Sequence, residues 1–164
     1  MTDHSIQLKK YHPDDFADYM LMVSDYNVMQ YITERALSEK EARQKFDEIL
    51  EINAMQGSLG YFRASLSDGQ YIGDCKLERY SKDDRQLEIG YIIKEAFWGK
   101  GLATKLCAMM LDLAHDIAPN DHIIGIIDPA NSASKHILEK FGFISFFVGM
   151  EDDLPTEKLI LEKQ

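Results

Sequence analysis

The amino-acid sequence predicts one mixed α/β (α+β) domain, in which a single, mostly antiparallel central sheet is flanked by about four helices. Two observations predict this fold class. The elements follow the order β-α-α-β-β-β-α-β-α-β-β, and helices and strands mixed in this way pack as helices on the faces of one sheet. The chain has 164 residues, of which 45% are hydrophobic, and this is enough for one domain with its own core. We therefore assign residues 1–164 to a single domain.

The N-terminal part is predicted to contain one strand and two helices. Residues 5–9 form the strand, and the proline and acidic residues of segment 11–15 begin the first helix. Ser38 is the N-cap of the second helix, with Glu41 three residues later as its capping-box partner. Apolar residues recur at helical spacing in both helices, at Phe16, Tyr19, Met20 and Val23 and then at Ala42, Phe46, Ile49 and Leu50.

The remainder of the chain begins with three strands and continues as alternating helices and strands. The three strands are separated by turn sequences and form an antiparallel meander, and they are Gly60–Leu66, Tyr71–Tyr80 and residues 86–93. A helix over residues 101–117 precedes a short apolar strand, His122–Ile127. A further helix ends near Lys140, and residues 143–148 and 158–161 form the last two strands.

The composition argues against several classes of function. The formal net charge is −10 and the longest basic cluster is Lys9-Lys10, so we predict no nucleic-acid partner. The two cysteines lack the spacing of zinc ligands, which predicts no metal and a reducing compartment. No apolar run approaches the ~20 residues of a membrane span, and the N-terminal residues lack the apolar region of a signal peptide. We therefore expect a cytoplasmic protein with no membrane partner.

The segment EIGYIIKEAFWGKGLATKL, residues 88–106, joins a predicted strand to a predicted helix through two glycines. Gly99 and Gly101 allow positive φ angles and the close approach of a ligand. The first amides of a helix have no intrahelical acceptor, and this first turn has Lys100 and Lys105 but no acidic residue. Amide donors, the positive end of the helix dipole and lysines together predict a phosphate site.

Three phosphate ligands and one purely structural role are compatible with such a turn. A Walker P-loop needs the sequence GxxxxGK[ST], which is absent. A Rossmann fingerprint needs a third glycine and an early βαβ unit, whereas this segment follows a meander. The third ligand is the pyrophosphate of coenzyme A. In the structural alternative, the glycines only allow the strand and the helix to pack closely.

A second motif, NSASKHILEKFGF, occupies residues 131–143 and places Asn131 and Ser134 one helical turn apart. The two motifs together resemble the GNAT superfamily of acyl-CoA-dependent N-acetyltransferases. Its motif A is written [QR]-x-x-G-x-[GA], and its motif B is written N-x-x-S-x-x-[LI]-x-E-K-x-G-F. The run EIGY followed by WGKGLAT is similar to the branch that acetylates the N-terminal alanine or serine of ribosomal proteins. Trp98 departs from the wider family, which has Gln or Arg there, although aromatic residues are usual in this branch.

The resemblance implies a GNAT-like fold and acetyl-CoA as the cosubstrate, with no metal. It places the pyrophosphate on consecutive backbone amides, those of Trp98, Gly99, Lys100, Gly101, Leu102, Ala103 and Thr104. The pantetheine arm would run between the strand that ends at Ile93 and the strand over residues 123–127, which splay apart. Asn131 would hydrogen-bond the pantetheine, and Ser134 would lie near the sulfur of CoA. The arm and the thioester carbonyl would bind the main chain of Tyr91, Ile92, Ile93 and Lys94.

The implied reaction is acyl transfer to a primary amine, which must lose a proton before it attacks. The pKa is about 10.4 for a lysine side chain and about 8 for an α-amine, so a carboxylate must take the proton directly or through water. Glu88 matches a family position often used as this base, and an amide near Ile92 would stabilise the oxyanion. Ser134 is the candidate acid for the leaving thiolate. In purely structural roles, Glu88 would be a hydrogen-bonded strand residue and Ser134 a helix cap or a plain CoA contact.

Several alternatives stay open at this point. A covalent acyl-cysteine is the other chemical route, but Cys107 is expected in the core and Cys75 has no nearby histidine in the sequence, so we predict direct attack in a ternary complex. A non-catalytic acyl-CoA-binding regulatory module is the alternative function. The acceptor is either a peptide or protein N-terminus or a small amine such as a polyamine, an amino acid or an aminoglycoside. Pairing of the C-terminal strands with a second copy would give a homodimer.

Overall fold

The computed structural model describes residues 5–163, and these residues form one seven-stranded sheet with helices on both faces. The strands are β1 (Ile6–Lys10), β2 (Gly60–Leu66), β3 (Tyr71–Tyr80), β4 (Asp83–Ile93), β5 (His122–Ile127), β6 (Ile144–Glu151) and β7 (Leu154–Leu161). The helices are α1 (Phe16–Val23), α2 (Tyr26–Met29), α3 (Glu39–Met55), α4 (Leu102–Ile117) and α5 (Ser132–Lys140). The predicted domain also includes residues 1–4 and Gln164, which lie outside the described residues.

The sheet confirms the predicted fold class. Its strand order is β1-β2-β3-β4-β5-β7-β6. Of the neighbouring strands described here, only β4 and β5 are parallel, and the other pairs are antiparallel. The parallel pair is connected through α4, which packs on β3 and β4. The alternation of strand directions is therefore interrupted between β4 and β5, where the meander meets the C-terminal strands.

The two faces of the sheet carry two separate hydrophobic cores. Successive strand residues point to opposite faces, and the neighbours Tyr61 and Phe62 accordingly belong to different cores. The core that contains Phe62 packs against α4 and α5, with Leu106 and Leu138 buried in it. The core that contains Tyr61 packs against the three N-terminal helices, with Phe46 at its centre. Both faces of the central strands are therefore covered.

The capping box predicted for α3 is confirmed. The Ser38 hydroxyl accepts a hydrogen bond from the Glu41 amide at 3.2 Å, and the Glu41 carboxylate accepts one from the Ser38 amide at 3.1 Å. At the other end of α3, the Asn53 side chain bonds both main-chain groups of Tyr61, at 2.7 and 3.0 Å. These contacts fix α3 over the start of β2.

One helix and several strand boundaries differ from the prediction, including the end of β6 at Glu151. The helix α2 was not predicted, because its four residues are too short to show a period. The strand β4 begins at Asp83, because the β3–β4 hairpin is tight and pairs Tyr80 with Asp83. The strand β7 begins at Leu154 rather than at residue 158. Within the described ranges, no helix is long and apolar enough to cross a membrane.

Candidate active site

The ladder between β4 and β5 ends before the two strands do. The last of its parallel pairs joins Ile89 to Gly125, whereas the strands continue to Ile93 and Ile127. The strand ends therefore splay apart, and a cleft of about 900 Å³ lies there. Its walls are the ends of both strands, the first turns of α4 and α5, and the segment around α2.

The N-terminus of α4 lies at the end of this cleft. Gly99 and Gly101 have φ angles of 74° and 76°, and a Cβ atom on either would meet no heavy atom within 4 Å. The two glycines are therefore required for the left-handed backbone and not for packing. The first intrahelical bond joins the Lys105 amide to the Gly101 carbonyl at 3.2 Å, so the three preceding amides have no intrahelical acceptor. With no acidic residue in its first turn, this terminus favours an anion.

Alternate main-chain groups at the end of β4 point into the gap. The Lys94 amide donates to the Ile72 carbonyl of the neighbouring strand at 2.9 Å. Because the bonding direction alternates along an antiparallel strand, Ile92 also bonds to β3, and Tyr91 and Ile93 face the gap. The gap is thus lined by main-chain donors and acceptors that a bound chain can pair with.

Besides those of Ile92, several main-chain groups predicted to contact the cofactor already have partners within the protein. The Trp98 amide donates to the Glu95 carbonyl at 3.1 Å, and the Lys94 carbonyl accepts from the Phe97 amide at 2.9 Å. The Trp98 indole donates to the Ile93 carbonyl at 2.8 Å. Trp98 therefore braces the end of β4 through its side chain while its own amide is occupied.

Asn131 and Ser134 lie together at the start of α5, on the opposite wall of the gap. Asn131 is the N-cap, and its Oδ1 accepts from the Ser134 amide at 3.2 Å. The Tyr91 hydroxyl is buried and has no hydrogen-bond partner of ordinary geometry in the part of the chain that is described. Burial raises the pKa of Tyr91 to about 12, although the nearby Ser134 hydroxyl acts in the opposite direction. A serine and a neutral tyrosine thus meet beside the gap.

Glu88 lies on the other side of the sheet plane in an ion-paired cluster. Its carboxylate contacts the Lys76 ammonium, which also lies 3.1 Å from Glu78. Burial lowers the pKa of Lys76, but its interactions with Tyr61 and with the carboxylates of Glu88 and Glu78 outweigh burial and raise it. The lysine is therefore a permanent cation that holds Glu88 in place.

A profile of the acetyltransferase (GNAT) domain family matches residues 5–144 of the chain. The chain belongs to the GNAT acetyltransferase family. It is 29% identical over 75 residues to the uncharacterized protein YkkB from Bacillus subtilis (strain 168), and this match covers 45% of the chain but only 44% of YkkB. It is 25% identical over 140 residues to the spermidine N(1)-acetyltransferase of Escherichia coli (strain K12), with 85% of the chain and 73% of that enzyme covered.

The fold is also that of solved GNAT structures. The chain superposes on RimL, a ribosomal L7/L12 alpha-N-protein acetyltransferase in complex with coenzyme A, with a TM-score of 0.79. The match covers 96% of the chain and 94% of RimL at 11% sequence identity. At this identity the likeness concerns the fold, and the relatives span more than one branch of the GNAT family.

Most of the predicted site residues of this GNAT chain lie on the cleft. Those on its walls are Glu88, Tyr91, Ile92, Ile93, Trp98, Gly99, Gly101, Leu102, Ala103, Thr104, Asn131 and Ser134. Lys94 and Lys100 are not among the wall residues. Their ammonium groups instead lie 6.0 and 5.4 Å from the centre of the Phe97 ring.

Asp74 is an acidic wall residue that the sequence analysis missed. Asp74 lies in the middle of β3 and is 4% exposed, yet it contributes to the wall of the cleft. Its Oδ2 accepts from the Tyr11 hydroxyl at 2.7 Å. The available signal was an aspartate inside an apolar strand, since aspartates are almost never buried without a partner.

The two cysteines are buried and unpaired, in agreement with the prediction for Cys107. Burial raises the pKa of the Cys107 thiol to about 12 and raises that of Cys75 further. A thiol that stays protonated is a poor nucleophile. Among residues 5–163, no group of three or more His, Cys, Asp or Glu side chains is arranged to hold a metal ion.

Proposed function

We propose that the protein transfers an acetyl group from acetyl-CoA to a primary amine, by direct attack in a ternary complex. The observation that supports this most is the gap between β4 and β5, which leads to the free N-terminus of α4. An extended pantetheine arm suits a gap lined by unpaired strand groups, and a pyrophosphate suits free helix amides. Membership of the GNAT family supports the same ligand.

The proposed cofactor contacts are made by the main-chain groups of the cleft that have no hydrogen-bond partner within the described protein. The main-chain groups of Tyr91 and the amide of Ile93 would pair with the pantetheine arm, and Asn131 would bond it from the other wall. The main-chain groups of Ile92 and Lys94, the Ile93 carbonyl and the Trp98 amide are left out, because they already have internal partners. The remaining donors for the pyrophosphate are the amides of Gly99, Lys100, Gly101, Leu102, Ala103 and Thr104.

The chemistry would use groups from both sides of the sheet. Glu88 is the proposed base, acting through water, since its carboxylate is already held by Lys76. The amides that flank Ile92 would stabilise the oxyanion of the tetrahedral intermediate. Ser134 would return a proton to the thiolate, with the neutral Tyr91 hydroxyl beside it.

The acceptor is proposed to be a cationic primary amine. The part of the cleft under the N-terminal helices, here called the chamber, has the acidic groups Glu34, Asp74 and Glu88 and the basic groups Lys45 and Lys76 on its walls. Its acids outnumber its bases by one, and the chain as a whole has a net charge of −10, which attracts cations. A small amine is supported by the likeness to spermidine N(1)-acetyltransferase, and a protein N-terminus by the fold of RimL.

The cytoplasm is the proposed location of the protein. Its two cysteines are free and buried, as is usual for proteins of a reducing compartment.

A second copy of the chain is the proposed partner of β6. This strand is an edge of the sheet, and four of its apolar side chains are more than half exposed, those of Ile144, Phe146, Val148 and Met150. A bulge between Ser145 and Phe147 divides them between the two faces of the strand. An exposed, apolar edge strand readily pairs with another strand. Val148→Lys, at a residue 64% exposed, is expected to convert a dimer to a monomer in light scattering. A wild-type protein that is already monomeric at micromolar concentration would disprove the homodimer.

One observation favours a non-catalytic acyl-CoA-binding module instead. The Glu88 carboxylate is engaged by Lys76 and would need water to reach an amine. Calorimetric titration with acetyl-CoA, with ATP and NAD as controls, tests binding in either case. Assays of a spermidine, a peptide and an aminoglycoside acceptor then separate the two functions. Acetyl-CoA binding without turnover of any amine would favour the module, and no binding at all would disprove both.

A further inference from the structure

Asp74 lies on the wall of the chamber and belongs to neither of the two sequence motifs. It stands directly opposite Ile92 in the β3–β4 ladder, and opposite residues of such a pair have Cα atoms about 5.5 Å apart and side chains on the same face. Glu88 lies four residues before Ile92 on the same strand, which is about 13 Å along it. Of these two acids, Asp74 is therefore much nearer to the amides proposed to hold the thioester.

The Asp74 carboxylate is buried without an ion pair. Within the described chain, no Lys, Arg or His nitrogen lies within 4 Å of it, whereas Glu88 and Glu78 share Lys76. The nearby Arg63 guanidinium is bound by Asp15 and Asp18, at 3.3 and 2.6 Å. Leaving a buried carboxylate without a cation is unfavourable, so the site is suited to a cation that arrives from outside.

The surroundings of Asp74 are mostly tyrosines. The Tyr11 hydroxyl bridges the Asp74 carboxylate and the Tyr71 hydroxyl, both at 2.7 Å. The titratable groups that interact with Asp74 come from α1, α3, β2, β3 and the segment after β1, and they are Tyr11, Tyr19, Lys45, Tyr61, Tyr71, Cys75 and Lys76. Burial raises the pKa of Asp74 to about 6, against the hydrogen bond from Tyr11 and the charges of Lys76 and Lys45.

We propose that Asp74 binds the ammonium group of the acceptor and takes its first proton, with Glu88 as the second, more distant carboxylate of the chamber. The proposal rests on the acetyl transfer proposed above. A carboxylate beside the thioester would both pair with the incoming cation and orient its nitrogen toward the carbonyl carbon. An acid whose proton affinity is raised toward the working pH is also a better proton acceptor than an ordinary aspartate.

The proton and electron balance of this step is complete. One proton passes from the ammonium to the Asp74 carboxylate and later leaves to solvent. The nitrogen lone pair forms the C–N bond, and the C–S bond breaks with its electron pair going to sulfur. The nitrogen loses its second proton through water to Glu88, Ser134 gives one proton to the thiolate, and the proton held by Glu88 returns through water to Ser134. The products are the amide and free CoA, with one proton released.

The test compares Asp74→Asn with the wild type in kcat/KM from pH 5 to 9, with spermidine and an alanine-initiated peptide as acceptors. The wild type is expected to lose activity below about pH 6, as Asp74 is protonated. Asp74→Asn should lower kcat/KM by ~10²-fold or more and abolish this acidic limb, with the Kd for acetyl-CoA changed less than threefold. A variant with kcat/KM within threefold of the wild type would overturn the proposal.

Tyr11→Phe keeps the test decisive if Asp74→Asn does not fold. This variant keeps the ring and removes the hydrogen bond that lowers the pKa of Asp74. The acidic limb of the pH profile should then move to higher pH, which a purely structural Asp74 would not cause. A limb that does not move would refute the assignment.

The failure of the inference and the failure of the proposed function can be distinguished. A wild type that binds no acetyl-CoA and acetylates no amine would refute the proposed function itself, and with it this inference. Wild-type turnover with an unaffected Asp74→Asn would refute the inference alone.

Discussion

The Lys76 ammonium reaches the Glu88 carboxylate by crossing the backbone of β4 at a glycine. Lys76 is opposite Gly90 in the ladder, and a Cβ on Gly90 would lie 2.9 Å from Cε and 3.2 Å from Cγ of Lys76. The absent side chain therefore provides the path by which the lysine reaches the next acid on the strand. Gly90 positions Glu88 without touching it.

Gly90→Ala is expected to displace the Lys76 side chain and release Glu88. Because small displacements of catalytic groups are costly, we expect kcat to fall by roughly tenfold, with about 1 kcal/mol lost in stability. Steady-state kinetics and a denaturant melt measure both. The matched control is Gly149→Ala on the exposed strand β6, where a Cβ would meet Phe147 at 3.0 Å, and it should leave kcat unchanged. Equal kinetics for the two variants would show that the crossing has no functional role.

Glu88→Gln is expected to lower kcat by ~10²-fold while the Kd for acetyl-CoA stays nearly constant, because the amide cannot accept a proton. Glu78→Gln is its control, since both glutamates contact Lys76 and both side chains are little exposed, at 14% and 17%. Only Glu88 lies on the cleft, so Glu78→Gln should retain most of the activity. Equal losses in both variants would assign the effect to the ion-paired cluster as a whole.

Gly99→Ala and Gly101→Ala are each expected to weaken acetyl-CoA binding by tenfold or more in calorimetry. Both positions require positive φ, so an alanine costs about 1 kcal/mol and moves the amides that follow. Gly69→Ala in the β2–β3 turn is the control. It has a φ of 90° and equally open surroundings, so it shares the strain without the ligand. If all three variants bind acetyl-CoA equally well, the turn does not hold the pyrophosphate.

Asp74→Asn is expected to stabilise the protein at neutral pH. Burial raises the pKa of Asp74 from 3.8 to about 6, so the folded state binds more protons than the unfolded state between these values. The stabilising contribution of the protonated acid is complete below the unfolded pKa and is lost as the pH rises through the folded pKa. The asparagine avoids this loss, so at pH 7.5 the variant should gain about 1 to 2 kcal/mol, or about 2 to 6 °C in Tm.

The same difference in Tm should shrink toward zero at pH 4, where Asp74 is protonated in the folded state. Thermal melts of both proteins at the two pH values make the comparison. Asp84→Asn, at an exposed position, should match the wild type at both. A variant less stable than the wild type at pH 7.5 would contradict the burial of an unpaired charge.

The fold was predictable because its signals are local. Ser38 and Glu41 mark a helix start through hydrogen bonds between near neighbours, and the meander follows from alternation and turn residues. The prediction began β7 at Lys158 because Thr156 and Glu157 before it are polar, although both are buried. The partner of Glu157 is Lys135, which lies on another element and cannot be paired with it from the sequence alone.

The site was predictable only where backbone geometry defines it. Gly99 and Gly101 signal a left-handed turn by being glycines, whatever surrounds them. Asp74 has no such signal, because its importance depends on Tyr11, sixty-three residues earlier, and on its position opposite Ile92. Long-range proximity of this kind appears only once the sheet register is fixed.

The hydrogen-bonded ladder between β4 and β5 stops at Ile89 and Gly125. The contact between these two central strands is therefore the part of the sheet with the fewest interstrand hydrogen bonds for its length. Amides such as those of Tyr91 and Ile93 are held by no neighbouring strand, so they should exchange hydrogen for deuterium by small local openings. A ligand inserted there acts as a surrogate strand, and at a hundred times its Kd it adds about 2.7 kcal/mol to folding. The free energy of unfolding thus depends on the concentration of the ligand. The resistance of the protein to heat and to proteolysis would increase as that concentration increases.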